Sequence, residues 1–337
     1  MNQADRVKRI AVAAAFGGGS VGAAGVLFYG LILGQALIAR RTIPVAMRPA
    51  PRSDGRYGAG YTGQPLRLAV LGDSAAAGFG VALPSETVGA VIAAQLAERL
   101  SRPVQLKVLA VVGAQSVGLA PQVESALEWQ PDVAFVCIGG NDVTGRVGVR
   151  IAVRHLSNAV RALRETGCEV VVGTCPDLGT IRPIQPPLRW LTRYWSRQLA
   201  AAQTVGVVEA GGWSVSLGDL LGPAFYRDPE HMFSHDRFHP SAAGYAKAAA
   251  VILPTLVSAL TDREPTPTLG AGEGVRTLPQ AAVEAAHSAG TEVSGASVDG
   301  HEHGPAGRWA QLRRRVWWPR QTMRAAVSGT LSAVEVT

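Results

Sequence analysis

Between residues 66 and 260 the chain alternates short, continuous apolar runs with longer stretches in which apolar residues recur every three or four positions. The runs are LRLAVLG from Leu66, VQLKVLAVVG from Val104, DVAFVCIGG from Asp132, EVVVGTC from Glu169 and VGVVEAG from Val205. Each is rich in β-branched residues and ends on a small one. Apolar runs that do not alternate with polar residues predict strands buried on both faces. The intervening segments 86–100, 147–166 and 188–203 carry helical periodicity. The expectation is a single doubly wound, flavodoxin-like α/β domain, three layers deep, with about five parallel strands. Ligands of such sheets lie beyond the carboxyl ends of the strands. Ser74, Gly113 and Asn141 each follow a predicted strand, so they share that rim.

The pattern differs outside this domain. Residues 11–39 contain no charged residue, and as a helix they would extend roughly 43 Å, where about 20 residues cross a bilayer. Arg6, Lys8 and Arg9 precede the stretch; Arg40 and Arg41 follow it. It reads as a transmembrane helix after a basic segment, residues 1–10. A cleaved signal peptide, with small residues in Gly34-Gln35-Ala36, and a buried helix are the other readings. Residues 40–65, rich in Pro, Gly and Arg, read as a linker to the domain of residues 66–260. Residues 261–307, poor in large apolar side chains, read as disordered. The tail, 308–337, opens with RWAQLRRRVWWPR, whose arginines and Trp309, Trp317 and Trp318 suit either an anionic lipid surface or solvent.

Charge sharpens this division. The net charge of +7 is unevenly placed: residues 1–56 hold eight Lys/Arg against two Asp/Glu, and six arginines lie in 300–337. The middle of the chain is slightly acidic. An enzyme of nucleic acids would carry its basic residues around the working groove, so no nucleic-acid partner is expected. The partner expected from these segments is a membrane, crossed in a single pass. The side of the membrane and the oligomeric state stay open. The three cysteines, Cys137, Cys168 and Cys175, have no metal or redox spacing and read as small buried hydrophobes.

Three short segments carry candidate chemistry. In LGDSAAAGFG a serine, Ser74, sits on a strand-to-helix turn, where a hydroxyl either caps the helix or is exposed as a nucleophile beside backbone N–H groups. In CIGGNDVTG, Asn141 follows two glycines at a strand end and has an amide to offer a developing oxyanion; a turn asparagine is the plainer use. In FSHDRFHPSAAGYAKAA, Asp236 and His239 lie three apart on a loop entering a helix. A carboxylate so placed orients an imidazole and stabilises its protonated form. A metal would need a further convergent ligand, so neither a metal nor another cofactor is expected. The hydrolase elbow G-x-S-x-G and the dinucleotide fingerprint G-x-G-x-x-G are both absent at Ser74.

Taken in order, GDS, a glycine in VVGAQS, GGND and a late D-x-x-H-P resemble the SGNH hydrolase superfamily, also called the GDSL esterase/lipase family, over residues 66–260. The family's marker residues fall on Ser74, Gly113, Asn141 and His239, and its usual aspartate on Asp236. Ala110 and Val111 stand where the family often has an asparagine. The resemblance implies an SGNH-type fold and a serine ester hydrolase without cofactor. Its catalytic residues would be Ser74, Asp236 and His239, and its oxyanion hole Ser74, Gly113 and Asn141. The expected substrates are lipid-like or cell-envelope acyl esters. A carbohydrate or cell-wall O-acetyl esterase is the enzymatic alternative, and a membrane-anchored scaffold on a silent SGNH fold is the non-enzymatic one. Trp190 and Tyr194, after a Pro-rich loop on the same rim, are candidate substrate-binding residues.

Overall fold

The structure, a computed structural model, describes residues 28–39, 49–261, 296–298 and 301–303. The apolar runs form a six-stranded sheet from β1 (Gly55–Tyr57), β2 (Leu66–Gly72), β3 (Val104–Val108), β4 (Val133–Cys137), β5 (Glu169–Gly173) and β6 (Trp213–Val215), in the order β1-β3-β2-β4-β5-β6. The last five are parallel, and β1 is antiparallel to β3 at the edge. The central strand β4 is buried at every position, which is why its sequence does not alternate.

Period-two geometry divides the strand residues between two cores. Leu68, Val70, Val133, Phe135 and Val171 face one way, onto α2 (Val88–Leu100), α7 (Leu217–Arg227) and α9 (Ala242–Thr261). Ala69, Leu71, Ala134, Val136, Val170 and Val172 face the other, onto α3 (Leu119–Trp129), α5 (Val149–Arg164) and the end of α6 (Leu188–Glu209). Two short helices, α4 (Gly140–Thr144) and α8 (Pro229–Met232), sit on the loops. Helix α5 shows the rule in its sequence: Ala152, Leu156, Ala159, Val160 and Leu163 share its buried face, at spacings of three and four. Helix α9 is long and apolar enough to cross a membrane, but half of it is buried in the domain. There Leu253 and Leu256 join the first core.

The sheet reverses its winding at β2, which has β3 on one side and β4 on the other. The crevice beyond the carboxyl end of β2 is therefore the switch point where a doubly wound sheet takes its ligand.

Three expectations change. The run from Val205 is not a strand but the last turns of α6, where Gln203, Thr204, Val207 and Ala210 are buried in a helical, not alternating, rhythm. Gly206 permits the close approach of α5, because a Cβ there would lie 2.6 Å from Val153. The fifth parallel strand is β6, just beyond. The sheet is mixed and six-stranded because the expected linker 40–65 contributes β1, and Asp54 Oδ1 accepts the N–H of Val108 at 2.7 Å. Within 261–307, expected to be disordered, Ala296–Val298 and His301–His303 pair as a two-stranded antiparallel sheet. Of the predicted span 11–39, Phe28–Ala39 is helical and is named α1. The basic segment 1–10, residues 11–27 and the tail 308–337 lie outside the described residues.

Candidate active site

The end of β2 is bent so that Ser74 leaves the sheet. Gly72 has φ +133°, and a Cβ on it would fall 1.9 Å from the carbonyl oxygen of Cys137. Only glycine fits there. The freed backbone is clamped by Gln122 of α3: Gly72 N–H donates to Oε1 at 2.7 Å, and Nε2 donates to Gly72 O at 3.0 Å. Asp73 N–H then reaches Cys137 O, and Phe79 N–H closes the turn onto Ser74 O. A matching clamp holds β4 and β5, where Gln203 accepts from Cys175 N–H and donates to Ile138 O. Both glutamines are buried.

The loop before α9 brings the other two groups. Phe233 and Pro240 pair across it, and Arg237 at its tip is left-handed with φ +55°. Asp236, 1% exposed, accepts from the N–H groups of Phe238 and His239 through Oδ1, each at 2.9 Å, and from the Ser234 hydroxyl. Its other oxygen, Oδ2, lies 2.7 Å from His239 Nδ1, and His239 Nε2 lies 2.9 Å from Ser74 Oγ. With Nδ1–H donating to the carboxylate, Nε2 is the acceptor that faces the hydroxyl. Phe79 and Phe238 meet the imidazole edge-on, 4.7 and 4.9 Å between centroids. Tyr245 of α9 donates its hydroxyl to Phe79 O and so fixes one of these rings. Burial works against the Asp236 anion. The hydrogen bonds from His239 and the two N–H groups outweigh it, so its carboxyl is held well below the usual range.

Asn141 lies in the first turn of α4, its Nδ2 donating to Ala114 O at 3.0 Å. The loop carrying Gly113 continues beside β2, with Val111 N–H on Gly72 O. It is tied to α4 by Asp142, whose carboxylate accepts both the N–H and the hydroxyl of Ser116. Gly113, with φ +83°, is exposed. The N–H groups of Ser74 and Gly113 donate to no protein acceptor among the described residues. The structure thus brings Ser74, Asp236 and His239 into one chain of contacts and sets Asn141 beside the Gly113 loop.

A cavity opens at Ser74 and His239 and runs between the sheet and α7 and α9. Ile181, Leu217, Leu221, Phe225, Phe233 and Ile252 are among its walls. Trp190 and Tyr194 do not line it. They lie on the outer face of α6, 65% and 57% exposed, because the helix turns them away from the rim that their place in the chain suggested. Asp73 does line it. Burial raises its carboxyl to about 6, against hydrogen bonding from Ala75 N–H and the nearness of His239. The three cysteines are free and buried. Among the described residues no group of three or more His, Cys, Asp or Glu is placed to hold a metal ion.

Asp73, Phe79, Gln122 and Tyr245 escaped the reading of the sequence. Asp73 stood inside the GDS motif, so its neighbourhood was legible. The other three act on groups more than 40 residues away or through ring contacts, for which the sequence carries no local signal.

The sequence profile of the GDSL-like Lipase/Acylhydrolase family matches residues 70–247. The GDSL-like esterase Rv1075c of Mycobacterium tuberculosis is 42% identical over 271 residues, 77% of this chain and 86% of that protein. Among solved structures, the lipase/acylhydrolase of Enterococcus faecalis is similar with 20% identity and a TM-score of 0.46, over 57% of this chain and 95% of that one. The acetylxylan esterase Axe2 of Geobacillus stearothermophilus is similar with 18% identity and a TM-score of 0.45, over 57% and 94%.

Proposed function

We propose, from the premise that the chain belongs to the GDSL-like lipase/acylhydrolase family and is a serine ester hydrolase, that Ser74 is its nucleophile and that its substrates carry an extended acyl chain. The observation that carries the first part is the contact line from Asp236 Oδ2 through the His239 ring to Ser74 Oγ. As Oγ attacks the ester carbonyl its proton passes to Nε2, and the buried carboxylate of Asp236 stabilises the imidazolium. The carbonyl oxygen, now an anion, meets the N–H groups of Ser74 and Gly113 and the amide of Asn141 that Ala114 leaves one N–H free to donate. His239 returns the proton to the leaving alcohol. Water, deprotonated by the same ring, then releases the acid and restores the serine.

The cavity supports the second part. It begins at the reacting hydroxyl, and apolar side chains dominate its lining. Each methylene buried there gains about 0.8 kcal/mol, whereas an acetyl group would leave the space unfilled. Such esters are lipids or acylated envelope components, and an anchor within residues 11–39 would keep the domain at their surface. The hydrolase domain of residues 66–260 takes in β1 at its start, since that strand pairs with β3, and the tail 308–337 would be a second lipid contact.

Rates on p-nitrophenyl acetate and octanoate test the substrate class. The octanoate is expected to have the higher kcat/KM, by about tenfold or more at 1.4 kcal/mol per decade. A preference for acetate would overturn the extended-chain reading and favour a carbohydrate O-acetyl esterase.

A further inference from the structure

We propose that the outer face of α1, together with Trp190 and Tyr194, is a docking surface for an anionic lipid bilayer, and that Gln35 couples this surface to the wall of the cavity. The inference rests on the ester-hydrolase reading for its consequence, not for its geometry.

Helix α1 has two faces. Ile32, Ala36 and Ala39 pack into the first core, with Ile32 4% and Ala39 7% exposed. Between them Gln35 uses both ends of its amide: Nε2 donates to Pro186 O at 2.6 Å, and Oε1 accepts the N–H of Leu188 at 3.1 Å. Leu188 opens α6, and the preceding residue, Pro187, offers no side-chain cap. Gln35 thus does from 153 residues away what a capping residue does locally. The segment it grips runs back through Ile184, buried in the same core, to Ile181 and Leu178 on the cavity wall.

The rest of α1 is apolar and exposed among the described residues: Leu31, Leu33, Leu37 and Ile38 lie away from the packed face, and Phe28 and Tyr29 lie at the start of the helix, all 39–59% exposed. A row of this kind is costly in water and marks an interaction surface. Three observations select a bilayer as its occupant. The uncharged stretch continues upstream through residues 11–27, so the face belongs to a run long enough to enter hydrocarbon. Trp190 and Tyr194, exposed one helical turn apart at the start of α6, are the residue types that settle at the headgroup level. Arg182 and Arg189, near them in the chain, have no carboxylate partner among the described residues, and Arg40 and Arg41 follow α1 directly. These cations match an anionic headgroup layer. A bilayer engaged in this way would lie against the segment that walls the cavity, and an acyl chain would pass between the two.

The test uses the full chain in phosphatidylcholine/phosphatidylglycerol vesicles. A fluorophore on Trp190→Cys is compared with one on Glu128→Cys at the exposed end of α3; the native cysteines are buried and silent. A nitroxide-bearing lipid is expected to quench the label at position 190 at least threefold more than the label at 128, with iodide showing the reverse. Equal quenching at the two positions would overturn the surface. Protection from iodide without quenching by the lipid would also overturn it, in favour of a second copy or another protein. Gln35→Leu tests the coupling, since it keeps α1 apolar and removes both hydrogen bonds. Turnover of an ester dissolved in the bilayer, divided by turnover of water-soluble p-nitrophenyl butyrate, is expected to fall at least fivefold, with the butyrate rate within twofold of the unaltered chain. An unchanged ratio would overturn it. Absence of butyrate turnover in the unaltered chain would count instead against the esterase reading, and the quenching would still decide the surface.

Discussion

Ser74, His239 and Asp236 are joined end to end by two hydrogen bonds, and both carboxylate oxygens of Asp236 are occupied. The cavity that opens beside them is walled mainly by apolar side chains, leucine, isoleucine and phenylalanine among them, held by packing that has no preferred direction. In the function proposed above the polar cluster sets what reaction occurs, because a displacement of one ångström breaks a proton path. The apolar wall then sets what is bound, and packing tolerates exchange of one hydrophobe for another of similar volume. Substitutions in the first region should therefore abolish turnover, while those in the second should redirect it.

The largest effect is expected at the cluster. Ser74→Ala and His239→Ala should each lower kcat for p-nitrophenyl butyrate by about four orders of magnitude or more, with thermal unfolding unchanged within a few degrees. Asn141→Ala should cost less, about 10²–10³ in kcat, with KM close to that of the unaltered enzyme. A loss confined to KM would remove Asn141 from the oxyanion hole.

Asp73 stands where the two regions meet, and it allows the comparison to be read through stability. Its carboxyl, pushed up to about 6 by burial, favours the folded chain only while protonated. That contribution is complete below the unfolded value of 3.8 and lost as pH rises through 6. Asp73→Asn keeps an acceptor for Ala75 N–H and has no charge to bury. It should raise stability at pH 8 by about 2–3 kcal/mol, and the gain should vanish near pH 4. A gain independent of pH, followed by denaturant unfolding at both values, would show that the charge is not the cause.

The smallest effect is expected in the wall. Leu221→Trp fills space that the acyl chain would occupy. It should lower the octanoate-to-acetate ratio of kcat/KM about tenfold, or about 1.4 kcal/mol, with the acetate rate nearly intact. Loss of both rates together would mean that the wall also positions the cluster.

The same contrast governs what the sequence disclosed. Strands β2, β4 and β5 were legible because burial on both faces removes alternation, β3 because its VQLKV alternates apolar and polar residues with one face buried, and Ser74, Asn141, Asp236 and His239 because each sits beside a turn whose residues are local. Strand β6 was displaced into α6 because a short apolar run such as VGVVEAG fits a buried helix and a buried strand equally well. Strand β1, three residues with a glycine and an arginine, gave no pattern. Trp190 and Tyr194 were assigned to the pocket from chain order, but a helix of 3.6 residues per turn sets their direction, and its phase depends on which face the core takes. The clamps made by Gln35, Gln122 and Gln203 escaped notice because their partners are carbonyls and N–H groups far along the chain, which every residue type supplies.

Reaction with a fluorophosphonate followed by mass spectrometry of the digested chain tests the nucleophile most directly. One adduct per chain is expected, on the peptide containing Ser74, and it should be lost in both Ser74→Ala and His239→Ala. An enzyme that hydrolyses esters while its adduct lies on any other residue would contradict the assignment of Ser74.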